Sequence, residues 1–341
     1  MRILILGGNG FIGRFLTPQV LAAGHHVAVV HRSAERTIPG ADVIAADHQD
    51  LPSYAGALRA FRPDVVVDLL LSSGRQAADL LAVFRGHAGR IVAISSMDVY
   101  RATAVMYGAD AGPLEPLPLT EKSALRSSAL TYPPPVLAML KGIFGWVDDE
   151  YDKVAVERVV QGDSALPATI LRLPMIHGPG DQLHRLFPLL KRMDDRRAAI
   201  PMAEHVATWR GSRGYVENIA AAIALAATDE RAADRTYNVG DAEALSELEW
   251  AGCVGEAAGW AGELVVLPDE QVPAYLGLPG RLDQHWVTDT SRIRRELGYA
   301  EPVNQLTGLR RTIEWERGNP PPVNPAMFDY DAEDRAVGAR A

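Results

Sequence analysis

MRILILGGNGFIGRFLTPQVLAAG, residues 1–24, reads as strand, tight turn and helix in immediate succession. Ile3-Leu4-Ile5-Leu6 is a short run of branched apolar side chains, which suits a parallel strand covered on both faces. Gly7, Gly10 and Gly13 follow at intervals of three. Phe15, Leu16, Val20 and Leu21 then repeat with helical spacing as far as Gly24, a helix stop. Without a Cβ, Gly7 can turn sharply, Gly10 lets backbone approach a pyrophosphate, and Gly13 lets the helix pack close to the strand. The N–H groups and dipole of the helix N-terminus attract phosphate. A tight turn that binds nothing can carry the same glycines. Their place between an apolar strand and an amphipathic helix favours a dinucleotide, held along Gly7, Gly10, Phe11, Ile12 and Gly13.

The next strand, His26 to His31, ends where such folds choose their cofactor. An acidic residue there accepts a hydrogen bond from the adenosine ribose, whereas an arginine suits a 2′-phosphate. The position holds Arg32, preceded by His31, so NADP is expected, with NAD as the alternative. Asp42 to Ala46 reads as a third strand leading to Asp47, within reach of the adenine edge. Val65 to Leu71 is a fourth and Arg90 to Ser95 a fifth, with helical stretches between them. This alternation predicts an α/β, Rossmann-type, doubly wound parallel sheet with right-handed crossovers and ligands outside the carboxyl ends of the strands. Leu69, Leu70, Pro174 and Ile176 stand at those ends and are expected against the cofactor.

Tyr100 to about Trp146, broken by Pro113, Pro116, Pro118 and Pro133-Pro134-Pro135, reads as a long excursion over the site. Asp148-Asp149-Glu150 marks a helix N-terminus, and the helix continues through Val160. Thr169 to Leu173 is a sixth strand, left through His177-Gly178-Pro179-Gly180-Asp181. The proline-rich, then charged, stretch after Gly318 reads as a tail laid over the body or partly disordered.

Of the 341 residues 48% are hydrophobic, which describes an ordinary globular protein with a sizeable core. A net charge of −9 and no basic stripe argue against nucleic acid. The single cysteine, Cys253, excludes an internal disulfide and fits a reducing cytoplasm. The first apolar run is too short for a signal peptide, and no run is long enough to cross a bilayer. No HExxH or paired Cys/His spacing suggests a metal.

Several ordered motifs accompany the glycine turn: GGNGFIG at 7–13, ISSMDVY at 94–100, YDKVAVE at 151–157, LRLPMIHGPGD at 171–181, RGYVENIA at 213–220, YNVGD at 237–241 and DTSRIRRELGY at 289–299. Together, over about residues 1–317, the chain resembles the extended short-chain dehydrogenase/reductase superfamily, of the NAD-dependent epimerase/dehydratase type. The resemblance implies a dinucleotide-binding lobe from 1–174 plus 214–241, a smaller discontinuous C-terminal substrate lobe from 175–213 plus 242–318, and a tail, 319–341. It also implies a small-molecule substrate and homodimers formed through two helices.

The family's chemistry uses a Ser or Thr that bonds the substrate oxygen, a Tyr that exchanges its proton, and a Lys that holds the nicotinamide ribose and lowers the Tyr pKa. The drop required of that Tyr, from about 10 to about 7, corresponds to about 4 kcal/mol. The match puts the hydroxyl at Ser96 and the lysine at Lys153, one of four lysines against 30 arginines. The family's Tyr position, four residues before the lysine, holds Asp149 instead. The nearest tyrosine, Tyr151, would face away from Lys153 if both were helical, because two residues turn about 200°. It can reach the site only if the helix begins after it.

Three readings follow. The protein is an active oxidoreductase or epimerase working on a hydroxyl or carbonyl of a small polar substrate, such as a sugar nucleotide, with Ser96, Lys153 and a tyrosine: Tyr151, Tyr100 or Tyr132. In the second reading Asp149 or Asp98 replaces the phenol as acid/base. Or catalysis is lost and the fold serves as an NAD(P)-binding regulator. For the substrate, Ser96, His177, Arg210 and Arg213 are the candidate contacts, since arginine forks match phosphate geometry. Arg172 is better read as structural.

Overall fold

The computed structural model describes residues 1–32, 38–127 and 132–339. In chain order the strands are β1 Arg2–Leu6, β2 His26–His31, β3 Asp42–Ala45, β4 Val65–Asp68, β5 Arg90–Ser96 and β6 Ala168–Leu173. They continue with β7 Met175–His177, β8 Ala199–Ala203, β9 Arg213–Tyr215, β10 Thr236–Asn238 and β11 Glu263–Leu267. The first helices are α1 Gly13–Ala22, α2 Ala55–Ala60, α3 Gly74–Phe84, α4 Arg101–Met106, α5 Pro134–Ile143 and α6 Lys153–Gln161. The rest are α7 Phe187–Asp194, α8 Glu204–Thr208, α9 Val216–Thr228, α10 Glu247–Ala258, α11 Ser291–Leu297, α12 Gln305–Gly318 and α13 Tyr330–Gly338.

The unbroken apolar runs of β1, β2 and β4 follow from burial on both faces. Ile3, Ile5, Val27, Val29, Val65 and Val67 point to one side, where Leu16 and Val20 of α1 and Ile219 and Ile223 of α9 cover them. Leu4, Leu6, Ala28, Val30 and Val66 point to the other, against Leu80 and Phe84 of α3 and Val156 and Val160 of α6. Each such side chain contributes roughly 1.5–3 kcal/mol by leaving water. Seven parallel strands result, in the order β10-β6-β5-β4-β1-β2-β3. Their register aligns one edge. Leu6 pairs with Val30 and Asp68, and Ser96 with Leu173. Gly7, His31 and Leu69 therefore stand side by side, while β5, whose Ala93 pairs with Asp68, runs on with β6 as far as Ser96 and Leu173, with the strand ends on one side as expected for a doubly wound fold.

A second, two-stranded parallel sheet, β8 with β11, and a third, β7 with β9, belong to the later part of the chain. No helix among the described residues is long and apolar enough to cross a membrane.

Two local expectations are corrected, and of the two readings of the terminal stretch the tail laid over the body is the one observed. The proline run does not exclude a helix: α5 begins inside it at Pro134, since prolines in a first turn lack only N–H groups that have no intrahelical partner. The helix bearing Lys153 begins after Asp148-Asp149-Glu150, because Asp152 is its N-cap and accepts the Val154 N–H at 3.0 Å. Asp148 is engaged elsewhere, accepting from Ser73 Oγ at 2.5 Å and from the Glu150 N–H at 3.0 Å. The terminal stretch is ordered as α13 through residue 338. Glu333, 1% exposed, takes Arg192 Nη2 at 2.7 Å and Nε at 3.0 Å, which fixes α13 beside β8.

Candidate functional site

The glycine turn forms a cradle with little tolerance for side chains. Gly7 has φ +83°, and a Cβ on it would lie 2.8 Å from the Leu70 side chain. A Cβ on Gly13 would lie 2.3 Å from the Gly7 carbonyl oxygen and 2.4 Å from the Gly8 carbonyl carbon. A Cβ on Gly10 would meet only the Gly7 oxygen, at 3.1 Å. Beyond it the space is open. The N–H groups of Arg14, Phe15 and Leu16 are taken by the carbonyls of Gly10 and Ile12, at 3.0–3.1 Å, which leaves those of the preceding turn for a pyrophosphate.

Two cavities meet at this turn. One, about 200 Å³, is lined by His31, Arg32, Asp47, His48 and Gln49, which include the residues expected at an adenosine end. Arg32 is exposed there, and Asp47 accepts the Gln49 N–H at 3.0 Å. The other, about 420 Å³, is bordered by Gly10 to Gly13, Leu69, Leu70, Pro174 and Ile176, with Ser96, Asp98, Tyr132, Tyr151 and Lys153 deeper in. Gly7, Gly10, Leu70 and Trp146 border both.

Lys153 is 3% exposed at the start of α6. Its Nζ donates to the carbonyls of Leu71 and Ile94, the latter at 3.0 Å, across the ends of β4 and β5. Burial pushes its pKa down to about 8, against the pull of Asp98, Asp68 and Glu157. Asp98, 1% exposed, sits in the turn after β5, and Ser96 Oγ accepts its N–H at 3.2 Å. Asp98 Oδ2 accepts from Tyr151 at 2.8 Å and from Tyr132 at 3.0 Å. Its Oδ1 has no partner. Burial first, and then the Asp98 charge, hold both phenols well above their ordinary pKa of 10.

Arg126 ties this carboxylate to the helix behind it. Its Nε donates to the Asp98 carbonyl at 3.1 Å and its Nη2 to the N-cap Asp152 at 2.6 Å. Deeper still, Glu157 accepts Ser95 Oγ at 2.6 Å and both arms of Arg172 at 2.9 and 2.7 Å. Arg172 is thus structural.

Five candidate residues lie elsewhere. Asp149 is a surface residue, its side chain 90% exposed and paired with Lys141. His177 packs between Tyr215 and Trp250, 3.3 Å from Thr312 Oγ1, and burial drives its pKa to about 3. Arg210 pairs with Glu249 at 3.0 Å, and Arg213 pairs with Glu247 while lying over the Trp250 ring. Tyr100 is core, its hydroxyl donating to Asn238 at 2.5 Å and accepting from Arg172 at 3.0 Å. The sequence reading missed Val136, Leu140, Phe144 and Trp146, which wall the larger cavity, and Arg185 at its rim. Their signal was the apolar and aromatic character of a segment taken for a loop.

Residues 3–124 match the NAD dependent epimerase/dehydratase family. Among curated proteins, the 2'-dehydrokanamycin reductase of Streptomyces kanamyceticus is 28% identical over 192 residues, 54% of this chain and 45% of that protein. The 3-diazoavenalumate denitrifying reductase of a Streptomyces species is 30% identical over 188 residues, 53% of this chain and 58% of that protein. The match thus spans about half the length of these relatives. Of solved structures, an epimerase from Methanothermobacter thermautotrophicus superposes with TM-score 0.67 at 18% identity, covering 93% of this chain and 92% of that one. The UDP-glucose 4-epimerase of Thermus thermophilus, complexed with NAD, gives 0.61 at 23% identity, over 94% and 100%. At these identities the likeness is one of fold. The N-terminal third of the chain thus matches the NAD dependent epimerase/dehydratase family, and nearly the whole chain shares the fold of these solved structures.

Proposed function

We propose that this protein is an NADP(H)-dependent oxidoreductase in which a buried carboxylate and a phenol together exchange the proton that accompanies hydride transfer. One observation carries the reading: Asp98 is fixed through Oδ2 by Tyr151 and Tyr132, keeps Oδ1 without a partner, and lines the same cleft as Lys153 and the glycine turn. Arg32 beside the adenosine end favours the 2′-phosphorylated cofactor.

When bound, the nicotinamide accepts a hydride from a carbinol carbon or returns it to a carbonyl carbon. The protein's part is to hold the substrate oxygen and move one proton. Ser96 and Tyr151 stand at the deep end of the cleft as hydrogen-bonding hydroxyls. During oxidation the C–H electron pair leaves with the hydride, and the O–H proton passes to the Asp98–Tyr151 pair. Reduction is the reverse, by the same groups. Burial first, and the neighbouring carboxylate second, keep the proton on the phenol, which leaves the acceptor's part to Asp98. Lys153, tied to two carbonyls, fixes α6 to the sheet edge and presents its ammonium to the ribose.

Asp98→Asn keeps the shape and removes the acceptor. With a panel of aldehydes and ketones and the reduced cofactor, it should lower turnover about 10²-fold or more while leaving cofactor affinity intact. Unchanged turnover would overturn the assignment. Cofactor binding with no turnover of any panel member would favour the binding-module reading, for which Asp149 at the family's tyrosine position is the supporting observation.

A further inference from the structure

One wall of the larger cavity comes from α5 and the segment that follows it. Val136 and Leu140, one turn apart on α5, face inward, followed by Phe144, Trp146 and Val147. This wall is pinned to the sheet edge through one carbonyl. Trp146 O accepts from Gln49 Nε2 at 3.2 Å, from Gln76 Nε2 at 3.3 Å and from Ser72 Oγ at 3.3 Å. Phe11, Tyr132 and Leu183 line the same cavity.

The charges in the cleft point the same way. Asp98, Lys153, Asp181 and Arg185 are the charged residues along it. Lys153 is held by carbonyls, and Arg185 Nη1 donates to the buried Asp181 carboxylate at 2.6 Å and to Ile176 O at 2.9 Å. Among the described residues that line the cleft, every cation therefore has a partner. The carboxylate oxygen Asp98 Oδ1 does not. A diphosphate entering beyond the cofactor would meet aromatic rings and a buried negative charge, with Arg210 and Arg213 engaged by glutamates outside the cavity.

We infer that the substrate is an uncharged compound with a flat aromatic or fused apolar body and a hydroxyl or amine that donates to Asp98 Oδ1, and not a nucleotide-diphosphate sugar. The inference rests on the oxidoreductase reading and departs from the sugar nucleotide that the family resemblance suggests. The planar body lies between the α5 wall and Tyr132, and its donor end reaches the turn after β5.

The test uses the full chain saturated with oxidised NADP and measures heats of binding for naphthylethanol and for UDP-glucose. Naphthylethanol should bind at least about tenfold tighter. Leu140→Asp, with folding checked by retained cofactor binding, should weaken it by about tenfold or more. UDP-glucose binding the tighter of the two, neither probe binding, or a Leu140→Asp protein that binds naphthylethanol normally would each overturn the inference. Naphthylethanol that binds but yields no reduced cofactor counts against the oxidoreductase reading and leaves the apolar site standing.

Discussion

The Lys153 ammonium should lose its proton near pH 8 in the cofactor-free protein, where an ordinary lysine does so at 10.5. Burial is the cause. The carboxylates of Asp98, Asp68 and Glu157 oppose it without cancelling it. At 1.36 kcal/mol per pH unit, the gap between 10.5 and about 8 corresponds to about 3.4 kcal/mol. The chain has four lysines, Lys122, Lys141, Lys153 and Lys191, so protein made with isotope-labelled lysine gives four side-chain signals. The one missing from Lys153→Met is assigned at once. A midpoint near 8 is expected, and a midpoint at 10 or above would refute the dominance of burial. Stability should follow. Between about pH 8 and 10.5 the unfolded chain holds more protons than the folded one, so stability rises with pH across that window, by up to about 3.4 kcal/mol relative to the Met variant.

Gly13→Ala would place a methyl against main-chain atoms of Gly7 and Gly8 that cannot swing aside, so dinucleotide affinity should fall about 100-fold in a fluorescence titration. Wild-type affinity would contradict the cradle. Arg32→Glu should weaken NADP by about tenfold or more and spare NAD, and an equal loss for both would remove the role given to Arg32. Glu333→Gln leaves Arg192 buried without its counter-charge, at about 3–5 kcal/mol. Limited proteolysis should then cut between α12 and α13 in the variant only, and equal resistance would show that α13 is held by other contacts.

The Rossmann half was legible because each of its strands carries its own evidence. Ile3 to Leu6 or Val65 to Leu71 suits little but a strand buried on both faces, and the glycines mark the turn that follows. The later sheet announced itself less clearly. AIPMA of β8 finds its partner ELVVL of β11 more than 60 residues on, and only tertiary contact pairs them. The α5 wall was obscured by the prolines that start it. His177 was misplaced for a related reason: a polar residue in a glycine-rich turn looks available, and only the packing of Trp250 and Tyr215 turns it inward. Arg210 and Arg213 looked like free cations because their glutamate partners lie more than 30 residues away in sequence.

The displaced tyrosine is where sequence spacing and physical placement part most sharply. Had the helix begun at Asp148-Asp149-Glu150, Tyr151 and Lys153 would have pointed to opposite faces. Asp152 is instead extended and caps the helix, so Tyr151 lies outside it and both residues reach one cleft. What differs from the family pattern is the company the phenol keeps. A lysine ammonium beside a phenol lowers its pKa and makes it a base, whereas here burial and then the Asp98 carboxylate 2.8 Å away raise it. In the proposed mechanism the base is therefore the carboxylate and not the phenol, while Arg126 holds the arrangement by gripping the Asp98 carbonyl and the Asp152 cap at once. The proposed mechanism requires a hydroxyl that can approach a buried carboxylate, and the apolar wall of the same cleft would admit such a hydroxyl most readily on an uncharged substrate.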